Sequence, residues 1–173
     1  MRPHPTIRTL AASEWARYRD IRLRSLAESP DAFGSTLAAE QERSGPAWAA
    51  RLASAAVSGR DCPLIAEQDG EVIGLLWAKA DPSDDSAIDL FQMWVAPEHR
   101  GRGVGNMLLQ AAVAWARRHN ARRVRLGVTC GDTAAVRLYA RTGFQAVGPA
   151  APLRSGSEVL AQSMELLLQQ TPA

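Results

Sequence analysis

The sequence predicts an α/β fold of the α+β kind: a mixed, mostly antiparallel, twisted sheet flanked by helices, forming one domain over residues 1–173. Three observations predict it. Asp69-Gly70, a preferred pair for a two-residue hairpin turn, separates two apolar runs. A third apolar run at 88–95 is followed by a glycine-rich loop, an amphipathic helix and a further run at 122–128, and strand, helix and strand in succession imply a right-handed parallel crossover. Finally, 173 residues that are 46% apolar, with no internal repeat and no linker, suit a single core.

Residues 6–10 alternate enough for a short opening strand, bounded by Pro5 and by Ser13, a candidate N-cap. From Glu14 the spacing of Trp15, Tyr18, Ile21, Leu23, Leu26 and Ala27 predicts a helix that stops at Ser29-Pro30, where proline disfavours helix in the residue before it. Its exposed face is expected to carry Arg17, Arg19, Arg22 and Arg24 as solvated charge. A turn follows at 30–34, then a loop or short helix, and Gly45-Pro46 starts a second long helix through Trp48, Leu52, Ala55 and Ala56. Residues 63–67 and 72–79 are the hairpin strands, 81–85 the next turn, and 87–95 a third antiparallel strand in which Phe91, Met93 and Val95 alternate. Pro97 ends it.

A helix is expected from about Gly103, because Val104, Met107, Leu108, Ala111, Ala112, Trp115 and Ala116 form one apolar stripe. Val124, Leu126 and Val128 point inward on the following strand. Asp132 is the expected N-cap of a last helix that Gly143 closes, a strand starts at 144–147, a loop runs over 148–156, and 159–168 is the closing strand.

Between the third strand and its helix, residues 100–106 read Arg-Gly-Arg-Gly-Val-Gly-Asn. Glycines at a strand-to-helix junction let the backbone turn sharply and bare its N–H groups, and a helix N-terminus adds partial positive charge. Arg100 and Arg102 add fixed cations, so the segment has the chemistry of a phosphate cradle. It is neither of two common ones. No Lys-Ser/Thr follows the glycines, as a Walker loop requires. A dinucleotide fingerprint would need glycine at Asn106 and an acidic residue about 20 positions on, whereas no Asp or Glu lies between Glu98 and Asp132.

Arg100-x-x-Gly103-x-Gly105 resembles the Gln/Arg-x-x-Gly-x-Gly/Ala signature of the GNAT N-acetyltransferase superfamily. Downstream, Asp132-Thr-Ala-Ala135-Val-Arg-Leu138-Tyr139-Ala-Arg-Thr-Gly143-Phe144 is similar to that family's Asn-x-x-Ala-x-x-Leu-Tyr-x-x-x-Gly-Phe. Two signatures in order, at the expected separation, carry more weight than either alone. The resemblance implies acetyl-CoA as co-substrate and no metal. Its pyrophosphate would lie on Arg100, Gly101, Arg102, Gly103, Val104, Gly105 and Asn106, and its pantetheine would run along Met93, Trp94 and Val95 as a pseudo-strand. Asp132 replaces the family's usual asparagine and puts negative charge near the phosphates.

Acetyl transfer to an amine has two proton problems. An alkylamine with a pKa of about 10.4 arrives protonated and needs a base, while the departing thiolate is helped by a proton donor. The resemblance makes Tyr139 the donor and, on the strand leading to the cradle, Asp89 the candidate base. Ribosomal-protein alanine acetyltransferases place a glutamate on the next strand. Gly127 stands there, which argues against that subfamily. Relatives wall the acceptor site with their first helices, which nominates Phe33, Glu40 and Glu42. A non-catalytic acyl-CoA sensor on the same scaffold is the alternative reading.

Composition narrows the partners. The net charge of +2, and arginines at 117, 118, 122, 123 and 125 without interleaved aromatics, give no nucleic-acid platform. No apolar run approaches bilayer length, so no membrane association is expected. Cys62 and Cys130 have neither disulfide-framework nor metal spacing, as suits reduced thiols in a cytoplasm. The expected partner is a small-molecule amine or a protein amine, and a homodimer is left open.

Overall fold

The computed structural model describes residues 3–169. In chain order these form β1 (Thr6–Thr9), α1 (Trp15–Glu28), α2 (Leu37–Gln41), α3 (Gly45–Ser58), β2 (Asp61–Gln68), β3 (Glu71–Ala80), β4 (Ala87–Val95), α4 (Val104–Arg118), β5 (Arg123–Thr129), α5 (Ala134–Thr142), β6 (Gln145–Ala146), β7 (Ala151–Pro152) and β8 (Leu160–Leu167). One sheet holds all the strands in the order β1-β2-β3-β4-β5-β8-β6, with β7 also paired to β8. Its one parallel pairing is β4 with β5, and the other ladders are antiparallel. The fold is thus the mixed, mostly antiparallel sheet that the hairpin and crossover predicted.

Local chemistry sets the helix ends. Ser44 accepts from the Ala47 N–H at 3.2 Å to start α3, and Thr36 does the same for α2 from Ala39. The short α2 occupies the stretch left between loop and helix by the sequence. Ser13 does not cap α1. It lies in a one-turn 3-10 segment, where Glu14 instead reaches back to accept from the Ala11 N–H at 2.8 Å. Asp132 does not cap α5 either: the Thr133 hydroxyl accepts from the Val136 N–H, while Asp132 is drawn into an ion pair with Arg137 at 2.8 Å.

The helices cover both faces of the sheet and so create two cores. On one face α4 and α5 bury Val104, Leu108, Leu109, Ala112 and Tyr139 against Leu64, Leu76, Ile88 and Leu126. On the other, α1 and α3 bury Tyr18, Leu26, Trp48 and Leu52 against Ile65, Leu75, Trp77 and Trp94. Each fully buried Leu or Ile contributes about 1.5–3 kcal/mol relative to exposure, so these layers fix the strand positions on which the site depends. No helix among the described residues is long and apolar enough to cross a membrane.

Candidate active site

The parallel pairing of β4 and β5 is confined to Ala87–Leu90 against Arg123–Leu126. Beyond Leu90 the two strands part, leaving the backbone of 91–95 facing 127–129 across a slot. A β-bulge accompanies the parting: β4 uses three steps from Phe91 to Trp94 where β3 uses two from Trp77 to Leu75. At its centre Gln92 has a φ of 61°, a conformation costing roughly 1–3 kcal/mol for a residue with a side chain. The Tyr18 hydroxyl helps to hold it there by donating to Gln92 Oε1 at 2.9 Å.

The bulge reverses side-chain parity. Ile88 and Leu90 pack on the α4 side before it, and Met93 and Val95 pack on that same side after it. The alternation predicted for Phe91, Met93 and Val95 therefore fails at Phe91, which is 50% exposed and sits on the slot wall.

The slot opens into a cleft of about 1470 Å³ that reaches both sides of the sheet. At one end lies the glycine loop. Gly103 is the N-cap of α4 with φ 80°, and no side chain satisfies the first N–H groups of that helix. Gly105 is glycine because of close approach: a Cβ there would stand 3.3 Å from Leu138 Cδ2 and 3.3 Å from Met93 Cε. Met93, Trp94, Val95, Arg100, Gly101, Gly103, Val104, Gly105, Asn106 and Tyr139 line the cleft. Arg102 and Asp132 stand outside its wall.

Arg100 is less free than its place in the motif implies. Its Nε donates to the Val95 carbonyl at 2.9 Å, and its two Nη groups donate to Glu28 at 3.2 and 2.7 Å. Trp94 Nε1 donates to the same carboxylate at 2.8 Å. This clamp, chiefly the Arg100 hydrogen bond, holds the Glu28 pKa down at about 2. Arg100 thus braces the loop from behind, with its guanidinium already committed to Val95 and Glu28.

Tyr139 is buried against Phe144, ring centroids 5.7 Å apart, at the cleft wall. Burial pushes its phenol pKa well above the ordinary 10, so it is a proton carrier at neutral pH. Asp89 borders the same cleft. Arg125 fixes its carboxylate through Nε to Oδ1 at 2.7 Å and Nη2 to Oδ2 at 2.9 Å, and also reaches Asp81.

On the far side of the slot the cleft is walled by Arg22 and by the 29–35 loop carrying Phe33. That loop is tied down by Arg154, which donates to the Phe33 carbonyl at 2.6 Å, and by Thr129, which donates to the Asp31 carbonyl at 2.5 Å. Phe33, nominated for the acceptor wall, lines the cleft. Glu40 does not: it is buried between Arg43 and Arg51, both at 3.2 Å, off the cleft. Glu42 is exposed away from it.

Arg22, assigned to the solvated face of α1, is 3% exposed. The overlooked signal was its spacing. Tyr18, Arg22 and Leu26 follow at i, i+4 and i+8, which places Arg22 within the apolar stripe. Among the described residues no group of three or more His, Cys, Asp or Glu is arranged to hold a metal.

Residues 15–144 match the family described as Acetyltransferase (GNAT) family. N-acetylaspartate synthetase of Rattus norvegicus is 34% identical over 87 residues, which cover 50% of this chain and 29% of that protein. The chain therefore spans less than a third of that relative's length. An acetyltransferase of the GNAT family from Streptococcus pneumoniae superposes with a TM-score of 0.82 at 24% identity, covering 95% of this chain and 100% of that one. The structure of yncA from Salmonella typhimurium with its cofactor acetyl-CoA gives 0.79 at 20% identity, with 99% and 98% covered. At these identities the superpositions speak for the fold alone.

Proposed function

The chain belongs to the GNAT acetyltransferase family, and from that premise we propose that it transfers acetyl from acetyl-CoA directly to a primary amine. The observation that carries the reading is the parting of β4 and β5 beside an uncapped helix N-terminus. A pantetheine arm carries amides that match a free strand edge, and a pyrophosphate matches orphan N–H groups at a helix start.

In this reading the loop from Gly101 to Asn106 takes the pyrophosphate and the backbone of Met93, Trp94 and Val95 takes the pantetheine. A β4 N–H polarises the thioester carbonyl. The thioester reaches through the slot between Tyr139 on the α5 side and Phe33 on the α1 side. Asp89, held in one orientation by Arg125, accepts the amine's proton directly or through water. The amine attacks the carbonyl carbon, the C–S bond breaks, the Tyr139 phenol protonates the leaving thiolate, and the second proton leaving the new amide nitrogen restores the phenol, directly or through water. Arg102 and Asp132, outside the cleft wall, act at most through charge near the phosphates. The free thiols Cys62 and Cys130 have no part in the transfer and fit the cytoplasmic setting we assign to the chain.

Calorimetric titration with acetyl-CoA, ATP and NAD tests the cofactor before any acceptor is chosen. Selective binding of acetyl-CoA, followed by amine-dependent release of free CoA, is the expected outcome. Binding without turnover on any amine would favour the acyl-CoA sensor, and no binding at all would end the acetyltransferase reading.

A further inference from the structure

We propose that Arg22 anchors the acceptor, and that the acceptor is a small amine carrying a carboxylate. The inference rests on the acetyltransferase reading and names the substrate class of that same site. Arg22 projects from the middle of α1 into the cleft wall and is 3% exposed. Its Nε and Nη1 are buried with no hydrogen-bond partner. No carboxylate lies within 4.0 Å of it among the described residues, and its guanidinium is stacked over the Phe33 ring, 4.7 Å from the centroid.

The surrounding charges are all committed elsewhere. Glu40 is the carboxylate that acts on Arg22, but its two oxygens are taken by Arg43 and Arg51. Arg51 also donates to the Tyr18 hydroxyl, Arg125 is spent on Asp81 and Asp89, and Arg154 is hydrogen-bonded to loop carbonyls. One uncompensated guanidinium therefore remains in the acceptor half of the cleft. A buried charge is tolerated when it is paired and hydrogen-bonded, and the planar guanidinium fork matches a carboxylate in two parallel bonds. The neighbouring cation, Arg51, is already paired with Glu40, and one unpaired guanidinium balances a monoanionic carboxylate better than a dianionic phosphate.

Arg22 and Phe33 line the cleft from the α1 face, whereas Leu138 and Tyr139 line it from the α5 face. A cofactor seated along α4 and α5 thus presents its acetyl group toward Arg22 through the slot. An acceptor whose carboxylate rests on Arg22, with its carbon chain against Phe33, directs its amine back toward the thioester.

The test uses the full chain and measures CoA release with the standard amino acids, their carboxamides and their decarboxylated amines, with acetyl-CoA binding followed calorimetrically in parallel. The expected result is turnover confined to carboxylate-bearing amines, with kcat/KM about 100-fold or more above the matched carboxamide. Arg22→Gln should raise KM for that acceptor roughly tenfold or more while leaving the acetyl-CoA Kd in place, and Arg22→Lys should recover part of the loss. Arg22→Met, which removes a buried unpaired charge, should melt no lower than the parent. A purely structural stacking role for Arg22 predicts the reverse. Equal turnover of amino acids and their decarboxylated amines overturns the inference, and so does failure to turn over any carboxylate-bearing amine, in a protein that binds acetyl-CoA. Absence of acetyl-CoA binding would instead sink the acetyltransferase reading on which it rests.

Discussion

Tyr139 combines two properties that rarely meet in one phenol, near-complete burial and a place on the wall of a large cleft. Among the described residues none hydrogen-bonds its hydroxyl, so its O–H is available to a leaving group. Replacing it with Phe keeps the ring packing on Phe144 and removes the proton. In the proposed mechanism kcat should fall by roughly 10²-fold while the acetyl-CoA Kd stays within a factor of about three. Unchanged turnover would show that the residue only packs. The pH sign follows from burial, which raises the phenol pKa above 10 and keeps the proton-bearing form through pH 9–10. The parent profile should therefore show no alkaline fall from Tyr139 ionisation below pH 10. An alkaline fall near pH 9 that disappears in Tyr139→Phe would contradict this assignment.

Elements differ in how plainly they were written in the chain. The hairpin and the glycine loop were legible because they rest on backbone demands that few residues meet: Asp69 with φ 52°, Gly103 with φ 80°, and Gly105 pressed between Leu138 and Met93. The bulge in β4 was not legible. Its positive φ falls on a glutamine, and Phe91, Met93 and Val95 alternate as an unbroken strand would. Tyr18, 74 positions upstream, supplies the hydrogen bond to that glutamine, and Glu28, 72 positions from Arg100, claims the arginine that the motif offers to phosphate. Pairings at that separation leave no trace in local pattern. Arg22 was half-legible, since its place in the α1 stripe was visible but its charge argued for solvent.

The junction of the glycine loop with α4 gives the sharpest test at this scale. Gly105→Val would push branched methyls into contacts that are already 3.3 Å for a lone Cβ. It should weaken acetyl-CoA binding about tenfold or more and cost roughly 1–3 kcal/mol of stability by overpacking. Gly105→Ala, needing a shift of only a few tenths of an ångström from two flexible side-chain ends, should fall between parent and valine. A valine variant that binds acetyl-CoA as the parent does would remove the loop from the cofactor site.

At the scale of the whole molecule, α1 joins the two halves of the proposed chemistry, because it supplies Tyr18 to the bulge, Arg22 to the acceptor wall and Glu28 to the glycine loop. It is stapled at both ends by carboxylates. Ahead of it, Glu14 is bonded to Arg8 and held down at about 2, while Arg8 also pairs with Glu67 on β2 at 2.8 Å. At its end Glu28 is held at about 2 by Arg100. A carboxylate whose folded pKa lies below its ordinary value of 4.5 contributes stability that is fully present above about 4.5 and lost as pH falls toward 2. Arg8 and Arg100 are half-exposed, so solvent screening reduces each contribution to about 1 kcal/mol. About three-fifths of that is lost by pH 3, so for a chain of this length the Tm should be lower by about 2–5 °C at pH 3 than at pH 6 from these two groups. A Glu14→Gln, Glu28→Gln double variant should start lower at pH 6 and lose correspondingly less on acidification. Parallel melting curves for parent and variant across that range would mean that the staples do not hold α1. If the staples do hold it, acetyl-CoA affinity should weaken over the same acidic interval, because protonating Glu28 releases Arg100 from the back of the cofactor loop.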